Sequence, residues 1–349
     1  MTTPKLPRSL LVATTLLAAA PTAATVQTPR AFVTGVSNPE DLMQLPGTPW
    51  VVVSGMRSDK QPGRLYLLDT RHPDTAMTLY PSVTPIKGGP DAAAFAPHGI
   101  NARALGTGQF ELLVVDHGGS EAIDRFVLES GDGGRPTVAS VSRIELPPGA
   151  WANGIAPMPD GGFVISSMYD PRDASFIDKF AAGAPTGGVW RWSPDQGWRE
   201  LPSPRLSGAN GIATTADGRT IIVAEWALRR IWRVPIDGGD AHFVTTSFLT
   251  DNLRWTADGD LLVAGQIAEP RDLFTNSTTG KPCPMGFAVA RVDPVTLAVT
   301  PLLNGDEQSF AATGFGGATG AVEIDGMLWV GSFTGERIAR FAIPAAAKD

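Results

Sequence analysis

Apolar positions in this sequence form short runs separated by turn residues, and the unit repeats. Asn210-Gly211-Ile212, for example, leads through Asp217-Gly218 to the aliphatic run Ile221-Ile222-Val223. Because glycine accepts the positive φ of a tight hairpin, such Asp-Gly pairs predict turns between neighbouring strands. Five similar units begin at Glu40-Asp41-Leu42, His98-Gly99-Ile100, Asn153-Gly154-Ile155, Asn252-Leu253 and Ala321-Val322.

Six copies spaced roughly 40 to 70 residues apart are typical of propeller blades. After several copies a further stretch alternates with period two, such as Gly188-Val189-Trp190-Arg191-Trp192, and predicts a third strand. We therefore predict an all-β, six-bladed β-propeller with a central metal site. The segment from Arg30 to Gly35 is expected to supply the strand that closes the ring. No helical periodicity is evident beyond the N-terminal segment.

Composition limits the function classes. The chain has 349 residues, of which 43% are hydrophobic and 18% charged, and a net charge of -7. This balance supports a packed core and argues against nucleic acid as a partner, because phosphate binding needs clustered Lys and Arg. A small-molecule substrate is the expected partner. The sequence gives no indication of the oligomeric state.

The N-terminus has the pattern of a secretory signal peptide. Lys5 and Arg8 precede an apolar stretch from Leu10 to Ala20, which small residues follow. We expect residues 1–24 to be a signal peptide and residues 25–349 a single propeller domain, exported to the periplasm or secreted. No later segment is long and apolar enough to span a membrane. The single cysteine, Cys283, excludes an intramolecular disulfide and is interpreted as a packing residue.

Polar residues stand where each innermost strand begins, at the expected axis. Packing alone would favour apolar side chains there, and buried carboxylates need a cation or a donor. Two carboxylates and three amide oxygens suit calcium, which takes six to eight oxygen ligands, better than zinc. A single Asn-Gly pair taken alone is more often a turn, so the prediction depends on the joint pattern. The axial positions are Glu40, His98, Asn153, Asn210 and Asp251-Asn252.

An ordered set of motifs resembles the paraoxonase and arylesterase family. The gluconolactonases and senescence-marker proteins share the propeller and a similar single-calcium centre, and the sequence resembles these as well. The motifs are Pro39-Glu40-Asp41-Leu42, Pro97-His98-Gly99-Ile100, Val114-Val115-Asp116-His117, Ala209-Asn210-Gly211-Ile212 and Asp251-Asn252. The resemblance implies a calcium-dependent hydrolase of lactones or related carboxylic esters. It implies a catalytic histidine pair, His98 and His117. It also implies one catalytic calcium held by Glu40, Asn153, Asn210, Asp251 and Asn252.

Two departures from that family affect what the resemblance implies. Its second, structural calcium is held by carboxylates at positions equivalent to Asp41 and Gly154, and glycine has no carboxylate. The second ion is therefore left open. The family's disulfide is impossible in a chain with one cysteine.

In the expected mechanism, a cation polarises the carbonyl group and water attacks it. His98 would be the general base and His117 would orient it, although a ligand carboxylate or water on the ion could serve instead. Substrate contacts are expected at the ends of the second strands and in the loops after them, with an acyl or aryl lactone favoured over a sugar lactone. The candidates are Met56, Met168, Tyr169, Trp226, Gln266 and Phe333.

Two other classes stay open. A non-catalytic calcium-bound propeller acting as an extracytoplasmic binding module would keep the oxygen ligands but would not need the histidine pair. A propeller with isomerase, lyase or condensing chemistry would likewise not require matched histidines beside an intact ligand set. The sequence contains no nucleophile elbow, no His-Glu-x-x-His motif and no phosphate-binding loop.

Overall fold

The fold is a six-bladed β-propeller. A computed structural model describes residues 27–59, 61–82, 86, 88–276 and 284–344. Within these ranges the strands form six four-stranded sheets, each ordered from the axis outward. All neighbouring strands are antiparallel, as in the β2–β3 and β14–β15 pairs. The predicted fold class is confirmed. The predicted signal peptide and Cys283 lie outside the described residues.

The strands follow the predicted repeats. In chain order they are β1 (Ala31–Thr34), β2 (Pro39–Gln44), β3 (Trp50–Gly55), β4 (Arg64–Asp69), β5 (Ala76–Tyr80), β6 (Pro97–Gly106), β7 (Gln109–Asp116), β8 (Ala122–Ser130), β9 (Pro136–Glu145), β10 (Trp151–Pro157), β11 (Phe163–Tyr169), β12 (Gly188–Ser193), β13 (Gly197–Glu200), β14 (Ala209–Thr214), β15 (Thr220–Glu225), β16 (Arg230–Pro235), β17 (His242–Thr245), β18 (Leu249–Trp255), β19 (Leu261–Ile267), β20 (Gly286–Val292), β21 (Val299–Gly305), β22 (Ala318–Ile324), β23 (Met327–Ser332) and β24 (Arg337–Ala342).

Blades 1 to 5 are continuous in sequence, from β2–β5 to β18–β21, whereas blade 6 combines β22–β24 with β1. The outer strand β1 pairs with β24, with Val33 opposite Ile338. Both side chains are fully buried. The predicted closing strand is thus confirmed, and it ties the N-terminal segment to the last blade.

In the part of the chain that the structure describes, three short helices interrupt the β pattern: α1 (Phe176–Ala181), α2 (Pro270–Asn276) and α3 (Glu307–Thr313). A 3-10 turn covers Asp132–Gly134. These helices were not predicted, because helices of six or seven residues are too short to show a 3.6-residue period and are stabilised by tertiary packing. No helix in the described ranges is long and apolar enough to span a membrane.

The core consists of apolar layers between adjacent blades. Leu65 and Leu67 of blade 1 pack with Leu112, Val114 and other buried residues of blade 2 in one such layer. Similar layers lie between the other blades. Because every blade is held by two neighbours, the inner strands are fixed around the axis, where the polar residues gather.

Candidate active site on the propeller axis

The innermost strand of every blade is irregular near its start. In β14 the pairing with β15 shifts between Ala209 and Ile212, so that Asn210 and Gly211 leave the regular ladder. A β-bulge of this kind re-aims side chains. Equivalent shifts fall at Glu40, His98-Gly99, Asn153-Gly154, Asp251-Asn252 and Thr319-Gly320. One polar side chain from each of the six blades consequently lines a single axial cavity.

Glycine after the axial residue lets the inner strands approach closely. A Cβ atom at Gly99 would lie 2.1 Å from the backbone oxygen of Asn153, and one at Gly211 would lie 2.4 Å from that of Asp251. No side chain fits at such distances, whereas glycine does. These glycines therefore allow neighbouring inner strands to come close together around the axis, and they do not form turns.

The axial cavity contains buried oxygen atoms that accept no hydrogen bond. They are Oε2 of Glu40, Oδ1 of Asn153, Oδ1 of Asn210 and Oδ1 of Asp251. Eight buried side-chain nitrogen and oxygen atoms in the described part of the chain lack a hydrogen-bond partner, and half of them are these four. Each unsatisfied group costs about 1–3 kcal/mol, so their concentration in one cavity indicates a binding site.

Two carboxylates lie close together in this cavity. Burial first, and then the negative charge of Glu40, raise the pKa of Asp251 well above the usual range for aspartate. Oδ2 of Asp251 accepts a hydrogen bond of 2.6 Å from Gln266, and Oε1 of Glu40 accepts one of 2.8 Å from Nδ2 of Asn252. Each carboxylate is therefore held on one oxygen by an amide, while its other oxygen stays unpaired.

These residues fit a hard divalent cation. Carboxylate and amide oxygens are the ligands that calcium prefers, and two carboxylates would balance its charge. No group of three or more His, Cys, Asp or Glu side chains in the described ranges is arranged to hold a metal. A cation on the axis would therefore depend on the amide oxygens of Asn153 and Asn210 as well as on the carboxylates.

A second cation does not fit beside Asp41. The carboxylate of Asp41 forms a buried ion pair with Arg254 and accepts backbone hydrogen bonds of 2.9 Å from Leu42 and Ile100. Burial raises the pKa of Asp41 to about 6, although the charge of Arg254 lowers it. No Lys or Arg occupies the axial repeat positions, but Arg254, two residues beyond Asn252, brings its guanidinium to Asp41. The positive charge near Asp41 thus belongs to the protein itself.

The predicted histidine pair adjoins the oxygen cluster. Nδ1 of His98 lies 3.0 Å from Nε2 of His117, and Nδ1 of His117 lies 2.6 Å from Oε2 of Glu121. At the inner end, Nε2 of His98 lies 3.5 Å from Oε1 of Glu40. Burial lowers the pKa of His117 and outweighs the hydrogen bond to Glu121, which raises it. A continuous chain of titratable groups therefore connects the cavity with Glu121, whose side chain is 30% exposed.

Apolar side chains form the rest of the cavity, which has a volume of about 190 Å³. Larger clefts of about 420 and 660 Å³ lie elsewhere on the surface, but none of the four unpaired axial oxygens lines them. Four of the six predicted substrate-contact residues line the axial cavity: Met56, Met168, Trp226 and Phe333. Tyr169 instead stacks on Trp151 at 4.8 Å between ring centroids. Gln266 is fully buried, where it accepts from Trp226 and donates to Asp251.

Several cavity residues were not predicted from the sequence. Thr319 is the axial residue of blade 6, and Thr319-Gly320 repeats the polar-Gly pattern of blades 2 to 4, which was a usable signal. Trp151 begins β10, two residues before Asn153, and Leu273 and Phe274 come from the unpredicted helix α2. No sequence pattern places α2 over the axis.

No protein-family model and no curated protein matches the sequence significantly. Among solved structures, the chain is similar to a putative gluconolactonase, with a TM-score of 0.52 and 15% identity over 90% of this chain and 94% of that chain. It is similar to regucalcin, a calcium-binding protein from Agrobacterium tumefaciens str. C58, with a TM-score of 0.53 and 16% identity over 92% and 96%.

A third similar structure is the PQQ-bound aldose sugar dehydrogenase from Streptomyces coelicolor, with a TM-score of 0.56 and 14% identity over 93% of this chain and 100% of that chain. The predicted resemblance to gluconolactonase-type propellers is confirmed in the fold. At identities this low the likeness shows the fold alone, and the three proteins differ in what they bind or do. The function of this chain therefore depends on the chemistry of its axial cavity and not on its fold.

The buried pair between Asp41 and Arg254 leads to a stability prediction. Arg254→Met leaves Asp41 buried without a counter-charge and is expected to lower the free energy of unfolding by roughly 3–5 kcal/mol. The double variant Asp41→Asn/Arg254→Met should recover part of this loss. Urea unfolding with saturating calcium measures both, and Arg172→Met, which breaks the exposed pair with Asp170, is the control. If Arg254→Met lowers the free energy of unfolding no more than Arg172→Met does, the Asp41–Arg254 pair does not stabilise the inner strands.

Proposed function

We propose that the protein is a calcium-dependent hydrolase of lactones or related carboxylic esters that carry an apolar substituent. The observation that carries the proposal is the set of four buried, unpaired oxygens on Glu40, Asn153, Asn210 and Asp251, in one cavity with His98. Oxygens of this type need a cation, and the adjacent imidazole supplies a base. The similarity in fold to a putative gluconolactonase and to a calcium-binding regucalcin agrees with this proposal.

Calcium would be held by Glu40, Asn153, Asn210 and Asp251, with Asn252 fixing the carboxylate of Glu40. When bound, the cation would supply positive charge that stabilises the oxyanion formed at the substrate carbonyl. The two carboxylates would at the same time lose the mutual repulsion that raises the pKa of Asp251. The free energy of calcium binding would therefore offset the cost of burying these two carboxylates.

His98 would act as the general base. It borders the cavity, and its Nε2 lies on the side of Glu40 while its Nδ1 faces His117. As a water oxygen forms a bond to the carbonyl carbon, the water proton passes to Nε2 of His98. The bond between that carbon and the ester oxygen then breaks, and the proton moves to this oxygen, which becomes a hydroxyl group. Water is thereby added across the ester bond with no other reactant.

Substrate preference follows from the cavity wall. Beyond the axial residues, the lining side chains are Met56, Trp151, Met168, Trp226, Leu273, Phe274 and Phe333. Hydroxyl groups of a sugar lactone would lose their hydration here without finding partners, at a cost of about 1–3 kcal/mol each. An alkyl or aryl group would instead gain from burial. Export of the protein remains a prediction from the N-terminal sequence.

Calcium dependence is tested by removing one amide oxygen. Asn210→Ala should lower calcium affinity by at least about tenfold, because one neutral ligand is lost from a small set. Hydrolysis of an alkyl δ-lactone should fall in parallel and recover partly at high calcium. Isothermal titration calorimetry and a pH-stat assay measure the two quantities, with Asn304→Ala, an exposed asparagine of β21, as the control. Unchanged affinity in Asn210→Ala would remove the basis of the proposal.

The apolar wall predicts a ranking of substrates. With calcium present, kcat/KM for a δ-lactone with a medium-length alkyl chain should exceed that for a sugar δ-lactone by at least about tenfold, which corresponds to about 1.4 kcal/mol. Phe333→Ala should reduce this ratio, mainly through the KM of the alkyl lactone. A sugar lactone hydrolysed as efficiently as the alkyl lactone would contradict the assignment of the wall.

A further inference from the structure

A hydrogen-bonded chain runs from the cavity through His98 and His117, and Glu121 is its last member. The function proposed above assigns no role to Glu121. It lies in the short loop between β7 and β8, four residues after His117, and its Oε2 is 2.6 Å from Nδ1 of His117. An ionised carboxylate can only accept hydrogen bonds. The proton in this contact must therefore sit on Nδ1 of His117.

The proton on Nδ1 of His117 determines which nitrogen of His98 carries a proton. Burial lowers the pKa of His117, so its ring is neutral at neutral pH and carries one proton. With Nδ1 protonated, Nε2 of His117 is an acceptor, and its partner at 3.0 Å, Nδ1 of His98, must be the donor. Neutral His98 then has no proton on Nε2, the nitrogen on the side of Glu40.

The surroundings keep this arrangement in place. The ring of His117 stacks on Trp151 with 4.1 Å between centroids and an interplanar angle of 6°, which fixes the ring plane. Its backbone N–H donates to the carbonyl of Ala96 at 3.1 Å. The hydrogen bonds that His117 donates to Glu121 and accepts from His98 are therefore made by a ring that is already oriented.

Other charged and titratable groups near the pair do not compete for the same protons. The carboxylate of Asp116, at the end of β7, is engaged by the backbone N–H groups of Ala96 and Gly118 and by the guanidinium of Arg143. Tyr169 of β11 stays protonated, because burial, and to a lesser extent the charge of Glu121, raise its pKa to about 12. Oε1 of Glu40 lies 3.5 Å from Nε2 of His98 and accepts its hydrogen bond, of 2.8 Å, from Nδ2 of Asn252 instead.

From this geometry we propose that Glu121 is a positioning residue that fixes the tautomers of His117 and His98 and leaves Nε2 of His98 as the proton acceptor in the cavity. The inference rests on the proposed function, in which His98 is the base. Without the carboxylate, His117 can donate from Nε2 to His98. His98 would then carry its proton on Nε2 and could not accept another there.

The test compares Glu121→Gln with wild type, since an amide of the same size can either accept from or donate to His117. Glu129→Gln, which changes an exposed glutamate of β8 in the same blade, is the matched control, and His98→Gln is the reference for loss of the base. Thermal melts establish that the variants are folded. The chain has four histidines, so NMR of isotopically labelled histidine side chains can report the tautomer of each.

We expect wild type and Glu129→Gln to show His98 and His117 protonated on Nδ1, and Glu121→Gln to lose this state. With calcium and an alkyl lactone, kcat of Glu121→Gln should fall at least about tenfold with KM little changed, and His98→Gln should fall further, by about 10²-fold or more. Unchanged tautomers together with unchanged kcat in Glu121→Gln would overturn the inference and leave the hydrolase intact. Predicted tautomers in a protein that hydrolyses no lactone or ester would support the hydrogen-bonded chain while refuting the proposed function.

Discussion

Two carboxylates and two amide oxygens face a buried cavity on the propeller axis without hydrogen-bond partners, and the surrounding structure serves to hold them there. Glu40 and Asp251 are almost completely buried. Burial first, and then the like charge of Glu40, raise the pKa of Asp251, because a low-dielectric interior disfavours an ionised carboxylate and strengthens the repulsion between two of them. A divalent cation would satisfy all four oxygens at once. The bulged inner strands, the glycines beside them and the amide of Gln266 are explained together by this requirement.

The buried carboxylate of Asp41 is stabilised in a different way from those of Glu40 and Asp251. Around Asp41 the counter-charge is the guanidinium of Arg254, which also donates to the carbonyl groups of Leu42 and Ile100. One carboxylate is thus paired within the chain, whereas Glu40 and Asp251 each keep an oxygen without a hydrogen-bond partner. Under the proposed function, this division would separate a permanent structural charge from the site that binds the cation and the substrate. Glycine at position 154 has its own reason, because a Cβ atom there would lie 2.9 Å from the backbone oxygen of Asn210.

Much of this arrangement could be predicted from the sequence because it repeats. Each blade copies a polar residue, a turn and an aliphatic run, so the six copies indicate both the blade number and the positions that reach the axis. Asn153, Asn210 and Asp251 were found in this way. Glu121 and Arg254 were not, because neither belongs to a repeat. Glu121 contacts His117, four residues earlier, through the short loop between β7 and β8 of blade 2, and Arg254 reaches Asp41 from a distant part of the chain. The helix α2, with Leu273 and Phe274, was missed because seven residues show no periodicity.

The axial oxygens of Glu40, Asn153, Asn210 and Asp251 are proposed to bind one divalent cation. The most direct test is a crystal structure of the protein grown with calcium, with anomalous difference density used to locate the ions. We predict a single axial peak at about 2.3–2.6 Å from these four side-chain oxygens, and no peak between Asp41 and Gly154. An axis without a peak under saturating calcium, or calcium bound only elsewhere, would contradict the account.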